Sequence, residues 1–74
     1  MTRLIELRYD EVVKRLRRLG FRFHRHGKGS HELWVRDIDG IVVPVPHHSK
    51  PVRTGTLRAI IHEIGVSVEE FMEL

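Results

Sequence analysis

Apolar residues recur along the first third of the chain at helical spacing. The positions are Tyr9, Val12, Val13, Leu16 and Leu19. Residues spaced i, i+3, i+4 and i+7 share one face of a helix, so this stripe would pack against a core. The pattern predicts a helix that begins between Arg8 and Asp10 and ends at Gly20, a residue type suited to helix C-termini. The preceding residues, 2–7, are predicted to form an extended lead-in.

The pattern then changes to the two-residue alternation of strands. Residues 21–25 alternate apolar and polar side chains, which predicts a strand with Phe21 and Phe23 facing the core and Arg22, His24 and His26 facing outward. A second strand is predicted from about residue 31 to residue 36. The alternation leaves open whether Trp34 is a core residue or an interface residue on the other face.

A third strand and a hairpin follow from turn chemistry. Residues 37–40 end in Asp-Gly, a pair typical of tight hairpins, so residues 41–45 are predicted to return antiparallel to the second strand. Pro44 lacks an N–H for the strand ladder, which favours an edge position.

Two further helices complete the predicted order. Thr54 is the predicted N-cap of a helix over residues 55–64, with Gly65 as its end. Ser67 and Glu70 have capping-box spacing, which predicts a short last helix. Its apolar anchors would be Phe71, Met72 and Leu74. The fold class is therefore α+β, in the order α-β-β-β-α, with a three-stranded antiparallel sheet covered on one face by two helices.

The composition of the chain limits which kinds of protein it can be. The chain has 74 residues and no cysteine, so one domain over residues 1–74 is expected, without disulfides or a thiolate zinc site. No apolar run approaches the ~20 residues of a membrane span, and we expect a soluble, cytoplasmic protein. Residues 1–31 hold nine Lys/Arg and three Asp/Glu, whereas residues 32–74 hold four and seven. The basic half predicts a polyanion partner such as nucleic acid, with a solvated basic helix face as the alternative.

The loop Gly27-Lys28-Gly29-Ser30-His31 combines features needed for phosphodiester chemistry. Glycines allow backbone N–H groups to approach a phosphate, and Lys28 adds a cation. Histidine titrates near neutral pH, so His31 could accept and donate a proton. The alternative is an ordinary turn with a polar residue at a strand start.

Other polar residues extend this candidate interface. The N-terminus of the second long helix is a further anion site through its free N–H groups and dipole. The predicted RNA- and phosphate-binding residues are Arg22, Arg25, Lys28, Gly29, Ser30, Lys50, Arg53 and Thr56. Six histidines raise the question of a metal, but the chain has no His-Glu-x-x-His motif and no carboxylate cluster, so no metal site and no cofactor are expected.

Several short motifs together resemble a known family. They are Gly20-Phe21, Gly29-Ser30-His31, the Asp-Gly hairpin, Val45-Pro46-x-His48, Gly55-Thr56-Leu57-Arg58-x-Ile60 and the Gly-Val-Ser-x-Glu-Glu-Phe ending. Over residues 8–74 the chain resembles the HicA toxins, also called the YcfA-like family. The resemblance implies a double-stranded-RNA-binding-domain-like fold, a translation-inhibiting mRNA endoribonuclease and a HicB antitoxin as partner. The family's catalytic histidine corresponds to His31.

The sequence departs from the family beside that histidine. Glu32 stands where family members often have a second histidine or an aliphatic residue, and an acid there would repel phosphate unless it points to the other face of the strand.

The functional prediction is a metal-independent toxin ribonuclease in which His31 is the general base. His48 is the predicted proton donor, with His47 and His26 as alternatives. The rival prediction is a non-catalytic RNA-binding module. mRNA and a HicB-like antitoxin are the expected partners, and a homo-oligomer is compatible with the sequence.

Overall fold

The computed structural model of the protein describes residues 2–74, which form a three-stranded sheet and three helices. In chain order these are α1 (Tyr9–Arg18), β1 (Phe21–His26), β2 (His31–Arg36), β3 (Ile41–Pro46), α2 (Thr54–Ile64) and α3 (Val68–Met72). Both strand pairs are antiparallel, and the sheet order is β1-β2-β3. The predicted α+β class and element order are confirmed, and β3 with its Pro44 is an edge strand as expected. No helix within residues 2–74 is long and apolar enough to cross a membrane.

One face of the sheet carries the core. Trp34 of β2 pairs with Val43 of β3, and its indole is only 1% exposed. The buried side chains of all three helices belong to the same apolar cluster. Alternation along a strand places every second side chain on one face, so both long helices must cover the face that carries Trp34. Trp34 is therefore a core residue, and the opposite face of the sheet is its open face.

The structure of β1 differs from the prediction at His26, because of a β-bulge, and at Phe23, which is more exposed than expected. The register shifts between Phe23 and Arg25, so that Arg25 pairs with Leu33 and His26 with Glu32. His26 consequently lies beside the Phe23 ring, at 5.2 Å between ring centroids, and does not share the outward face of Arg22. Phe23 has the predicted core-side parity but remains 41% exposed, because it lies on an edge strand in which every residue after Phe21 is exposed.

The helix ends follow the predicted signals with one exception. Gly65 ends α2 with a φ of +85°, a conformation that glycine adopts without steric cost. In the predicted capping box of α3, the Ser67 hydroxyl accepts a hydrogen bond from the Glu70 N–H at 3.0 Å. The predicted cap Thr54 is instead the first residue of α2. Arg53 is the N-cap, and its side chain makes no capping hydrogen bond.

The two ends of the sheet differ in what they bring together. We call residues 27–31 and 47–56, with the adjoining N-terminus of α1, the loop end. The N–H of His47 donates to the Ser30 carbonyl at 2.9 Å, and Leu7 pairs with Val52 just before α2. We call the turn at residues 36–40, with the C-termini of α1 and α2, the hairpin end. There the Arg36 guanidinium donates to the Ile64 carbonyl at 3.2 Å. Both long helices therefore begin at the loop end.

Candidate active site

His31 is presented by a tight loop at the start of β2. The Gly27 N–H donates to the His31 carbonyl at 2.9 Å, and the His31 N–H donates to the Lys28 carbonyl at 3.1 Å. Gly29 has a φ of +59°, which a residue with a Cβ rarely adopts. The exposed His31 side chain lies on the open face, because its neighbour Glu32 is buried on the helix face.

Two predicted cations accompany His31. Arg25 and Lys28 line the same surface depression as His31, together with His26, Gly27 and Leu33. The bulge in β1 brings Arg25 to this position, because it places Arg25 opposite Leu33 on the open face. The N–H groups of Gly29 and Ser30 donate to no other residue within the described chain. The depression therefore combines two histidines and two cations, and the loop beside it holds the free N–H groups of Gly29 and Ser30.

Arg22 is placed differently from the other predicted phosphate-binding residues. Its guanidinium donates two hydrogen bonds to the Asp37 carboxylate, at 2.7 and 3.0 Å. The hydrogen bond from Arg22 lowers the pKa of Asp37, and the same contact raises the pKa of Arg22. The charge of Arg22 is thus largely neutralised at the hairpin end.

A second cationic depression lies at the N-terminus of α2. Lys50, Arg53 and Thr56 line it, with Glu6 as its one acidic member. No side chain caps the first turn of α2, and that turn contains no acidic residue. Free N–H groups and the positive end of the helix dipole favour an anion at such a position. The structure thus brings these three predicted residues together.

The two histidines of the following loop have separate environments. The Nδ1 atom of His48 lies 3.1 Å from the Lys50 carbonyl, and His48 shares a depression with Arg8, Asp10 and Ser49. His31 does not line that depression. The role of His48 as proton donor stays a prediction. Within residues 2–74, no three His, Asp or Glu side chains come together as metal ligands.

Glu32 is the centre of a polar network that the sequence did not predict. The residue is only 7% exposed, and its carboxylate accepts hydrogen bonds from the Tyr9 hydroxyl, from Trp34 Nε1 at 3.3 Å and from His47 Nδ1 at 2.9 Å. A carboxylate only accepts hydrogen bonds, so Nδ1 of His47 must carry a proton. Strand alternation, which places Glu32 on the same face as Trp34, was the available signal. Glu32 thus points away from the face that carries His31.

The network changes the ionisation of two of its members. Burial raises the pKa of the Glu32 carboxyl, but the hydrogen bonds from Tyr9, His47 and Trp34 outweigh burial and leave the pKa below its usual value. Burial, followed by the hydrogen bond to Glu32, raises the pKa of Tyr9 to about 12. The folded protein therefore favours an ionised Glu32 beside a neutral Tyr9.

Comparison with known proteins identifies the family of the chain. The family model of the HicA toxin of bacterial toxin–antitoxin systems matches residues 9–66 of the chain. The chain belongs to the HicA toxin family. None of the curated proteins matches the chain.

The matched region of this HicA-family chain includes every predicted site residue, from Arg22 to Thr56. The fold places some of these residues side by side and leaves others apart. His31, Arg25, Lys28, Gly29 and Ser30 form one group, and Lys50, Arg53 and Thr56 form a second. His48 lies in the loop between β3 and α2, and Arg22 is paired with Asp37.

Proposed function

We propose that the chain is the toxin of a type II toxin–antitoxin pair and that it cleaves mRNA as an endoribonuclease. Membership of the HicA toxin family supports the toxin role. The observation that carries the proposed activity is the exposed His31 beside Arg25 and Lys28, on a glycine loop with free N–H groups. A general base next to phosphate-binding groups is the minimum arrangement for cleaving RNA through its own 2′-hydroxyl.

In the proposed mechanism, His31 removes the proton from an RNA 2′-hydroxyl, and the 2′-oxygen attacks the adjacent phosphorus. The 5′-oxygen of the next nucleotide leaves and takes a proton, for which His48 is the proposed donor. The products are a 2′,3′-cyclic phosphate and a free 5′-hydroxyl. Because the nucleophile belongs to the RNA, the mechanism calls for no metal ion and no cofactor.

The basic groups of the loop end stabilise the charge that develops on the phosphate. Lys28 and Arg25 supply cations beside His31. The N–H groups of Gly29 and Ser30 are free to donate, whereas the Gly27 N–H already binds the His31 carbonyl. Donors fixed before the reaction act without reorganisation, which is why such arrangements lower a barrier effectively.

The depression at the N-terminus of α2 provides a second phosphate contact on the same strand of RNA. Lys50 and Arg53 contribute charge there, and Thr56 contributes a hydroxyl. Two phosphate contacts fix the register of the RNA over His31, because contacts to the backbone position a strand without reading its sequence.

The proposed partner is a HicB-like antitoxin that covers the loop end in the cytoplasm, where mRNA is found. Arg25, Lys28, Lys50 and Arg53 form no ion pair with any residue of the described chain. A protein that covers these cations should present acidic residues, which would also accelerate association.

The test is incubation of the protein with a single-stranded RNA and with its 2′-deoxy analogue, both in EDTA. We expect cleavage of the RNA, with a 2′,3′-cyclic phosphate at the new end, and no cleavage of the deoxy strand. Cleavage of both strands would refute attack by the 2′-hydroxyl. Binding of an RNA that remains intact would favour the non-catalytic RNA-binding module.

A further inference from the structure

Tyr9 and His47 form a parallel aromatic stack at the loop end. Their ring centroids are 3.6 Å apart, and the ring planes differ by 10°. Tyr9 opens α1, whereas His47 follows β3, so the stack joins two elements that are distant in sequence. Tyr9 covers one face of the imidazole, and the His47 side chain is still 51% exposed.

One buried carboxylate fixes both rings. Glu32 accepts the Tyr9 hydroxyl through Oε1 and the Nδ1 proton of His47 through Oε2. An exposed ring normally rotates among several rotamers, but the Nδ1 hydrogen bond to Glu32 and the stack on Tyr9 restrain the orientation of the His47 ring. A flat ligand that binds such a ring pays little ordering entropy, because the protein side is already in place.

The surroundings of the stack favour a base over a phosphate. Arg8, Asp10, His48 and Ser49 line the depression around it. The Arg8 guanidinium donates to the Ser49 carbonyl at 3.2 Å. The charges of Arg8 and Asp10 offset each other, so the depression has no net charge to hold a phosphate, whereas an uncharged aromatic ring needs none and gains contact with the imidazole face.

The stack is also linked to both cationic depressions of the loop end. The His47 N–H binds the Ser30 carbonyl, in the loop that carries Lys28 and His31. On the other side, Ser49 is followed directly by Lys50 of the depression at α2. A nucleic-acid strand whose phosphates occupied both depressions would run along the loop end, where His47 is exposed.

We propose that the exposed face of His47 binds a nucleobase of single-stranded RNA, which extends the Tyr9–His47 stack by one ring. This inference rests on the proposed function, since it assigns a base-binding position to the same substrate. Stacking on aromatic side chains is the usual way in which proteins hold unpaired bases. Glu32 acts here as a positioning residue for His47.

The test compares three variants in binding to a 2′-O-methyl RNA octamer, which cannot be cleaved through its 2′-oxygen. His47→Asn removes the ring, and His47→Phe keeps a flat ring but not the imidazole. His62→Asn is the matched control, because His62 is an exposed histidine on the last turn of α2 at the hairpin end. We expect His47→Asn to weaken binding by roughly tenfold or more. The affinity of His47→Phe for the octamer should lie within a few-fold of that of the unaltered protein. The affinity of His62→Asn should be unchanged.

A second measurement locates the base. A single 2-aminopurine is moved along the octamer, because stacking quenches its fluorescence. One position should be quenched by the unaltered protein and by His47→Phe but not by His47→Asn, with circular dichroism showing that all variants are folded.

The outcomes separate this inference from the proposed function. Equal binding by His47→Asn and the unaltered protein would overturn the stack alone, and so would a His47→Phe variant as weak as His47→Asn. Binding with the expected variant pattern but without cleavage of ordinary RNA would overturn the ribonuclease proposal alone. Failure of the unaltered protein both to bind the octamer and to cleave ordinary RNA would overturn both.

Discussion

The loop end and the hairpin end of the sheet both carry basic side chains, but they use these charges differently. At the hairpin end, Arg22 is paired with Asp37, and Arg36 binds both Asp39 and the Ile64 carbonyl at the end of α2. Within residues 2–74, the loop-end cations Lys28 and Lys50 have no acidic partner within salt-bridge distance.

This difference separates cations with a structural role from cations available to a ligand. Partnered charges at the hairpin end satisfy carboxylates and a helix C-terminus. Unpaired charges at the loop end repel one another, and that repulsion is relieved when a polyanion binds. The contrast predicts that equivalent substitutions at the two ends have different consequences, and it can be tested with matched variants.

The largest expected effect is on cleavage. His31→Ala should lower the single-turnover rate of RNA cleavage by about 10²–10⁴-fold, the usual contribution of a general base. Its thermal unfolding should change little, because the His31 side chain is exposed. His62→Ala at the hairpin end is the control and should cleave normally. A folded His31→Ala protein that cleaves at the normal rate would show that the base lies elsewhere.

The next effect concerns the salt dependence of RNA binding. Each phosphate contact on a single strand contributes about 0.7 to the slope of log affinity against log salt. The double variant Lys28→Gln/Arg53→Gln should therefore flatten that slope by about 1.4. Lys14→Gln/Arg18→Gln removes the same charge from the exposed surface of α1 and should leave the slope unchanged. An equal flattening by both pairs would remove the distinction between the loop end and the rest of the surface.

The fold was predictable because its signals are local. The apolar stripe around Leu16 specifies α1, the Asp-Gly turn specifies the β2–β3 hairpin, and the Ser67 capping box specifies α3. The bulge in β1 was not predictable from alternation. A bulge inserts one residue and reverses the parity beyond it, which is why His26 does not lie on its predicted outward face and Arg25 lies on the open face.

The site was only partly predictable, because its partners come from distant segments. The loop that presents His31 is contiguous in sequence and could be recognised directly. By contrast, Tyr9, Glu32 and His47 meet only after α1, β2 and β3 have packed together. Periodicity indicates which side of an element a residue occupies, but not which residue of another element it meets.

The third prediction concerns the Glu32 network, which joins the loop end to the core. Glu32→Gln removes the charge that accepts three hydrogen bonds and should lower the free energy of unfolding at pH 7 by about 1–3 kcal/mol. Urea unfolding measures this change. Since the pKa of Glu32 is lowered by folding from 4.5, its contribution is present above that pH and is lost as pH falls through the folded value. The Gln variant should therefore lose less stability in acid than the unaltered protein.

Tyr9 reports on the same network, because it is the only tyrosine in the chain. Tyrosinate absorbance should rise with a midpoint of about 12 in the folded protein. The unfolded chain should titrate near pH 10. A raised folded pKa means that the contribution to stability is complete below about pH 10 and is lost as pH rises toward the folded midpoint. Glu32→Gln should lower the midpoint only in part, since burial is the larger cause. A folded-state midpoint near 10 would contradict the network.

The smallest expected effect comes from the Arg22–Asp37 pair. Its side chains are 58% and 65% exposed, so breaking the pair should alter stability very little. The informative measurement is RNA binding. As a single substitution that leaves Asp37 in place, Arg22→Gln should barely change the slope of log affinity against log salt, because Asp37 already neutralises the guanidinium.

Asp37→Asn releases Arg22 on the open face, where it can contact a phosphate of RNA bound at the loop end. The salt slope should then steepen by up to about 0.7, the value of one added contact. Adding Arg22→Gln to Asp37→Asn should cancel this gain, which shows that the released guanidinium, and not the lost carboxylate, is responsible. If Arg22→Gln alone flattened the slope as much as Lys28→Gln does, Arg22 would contact RNA despite its pairing. The cations that bind RNA would then be those on the open face of the sheet, and not only those at the loop end.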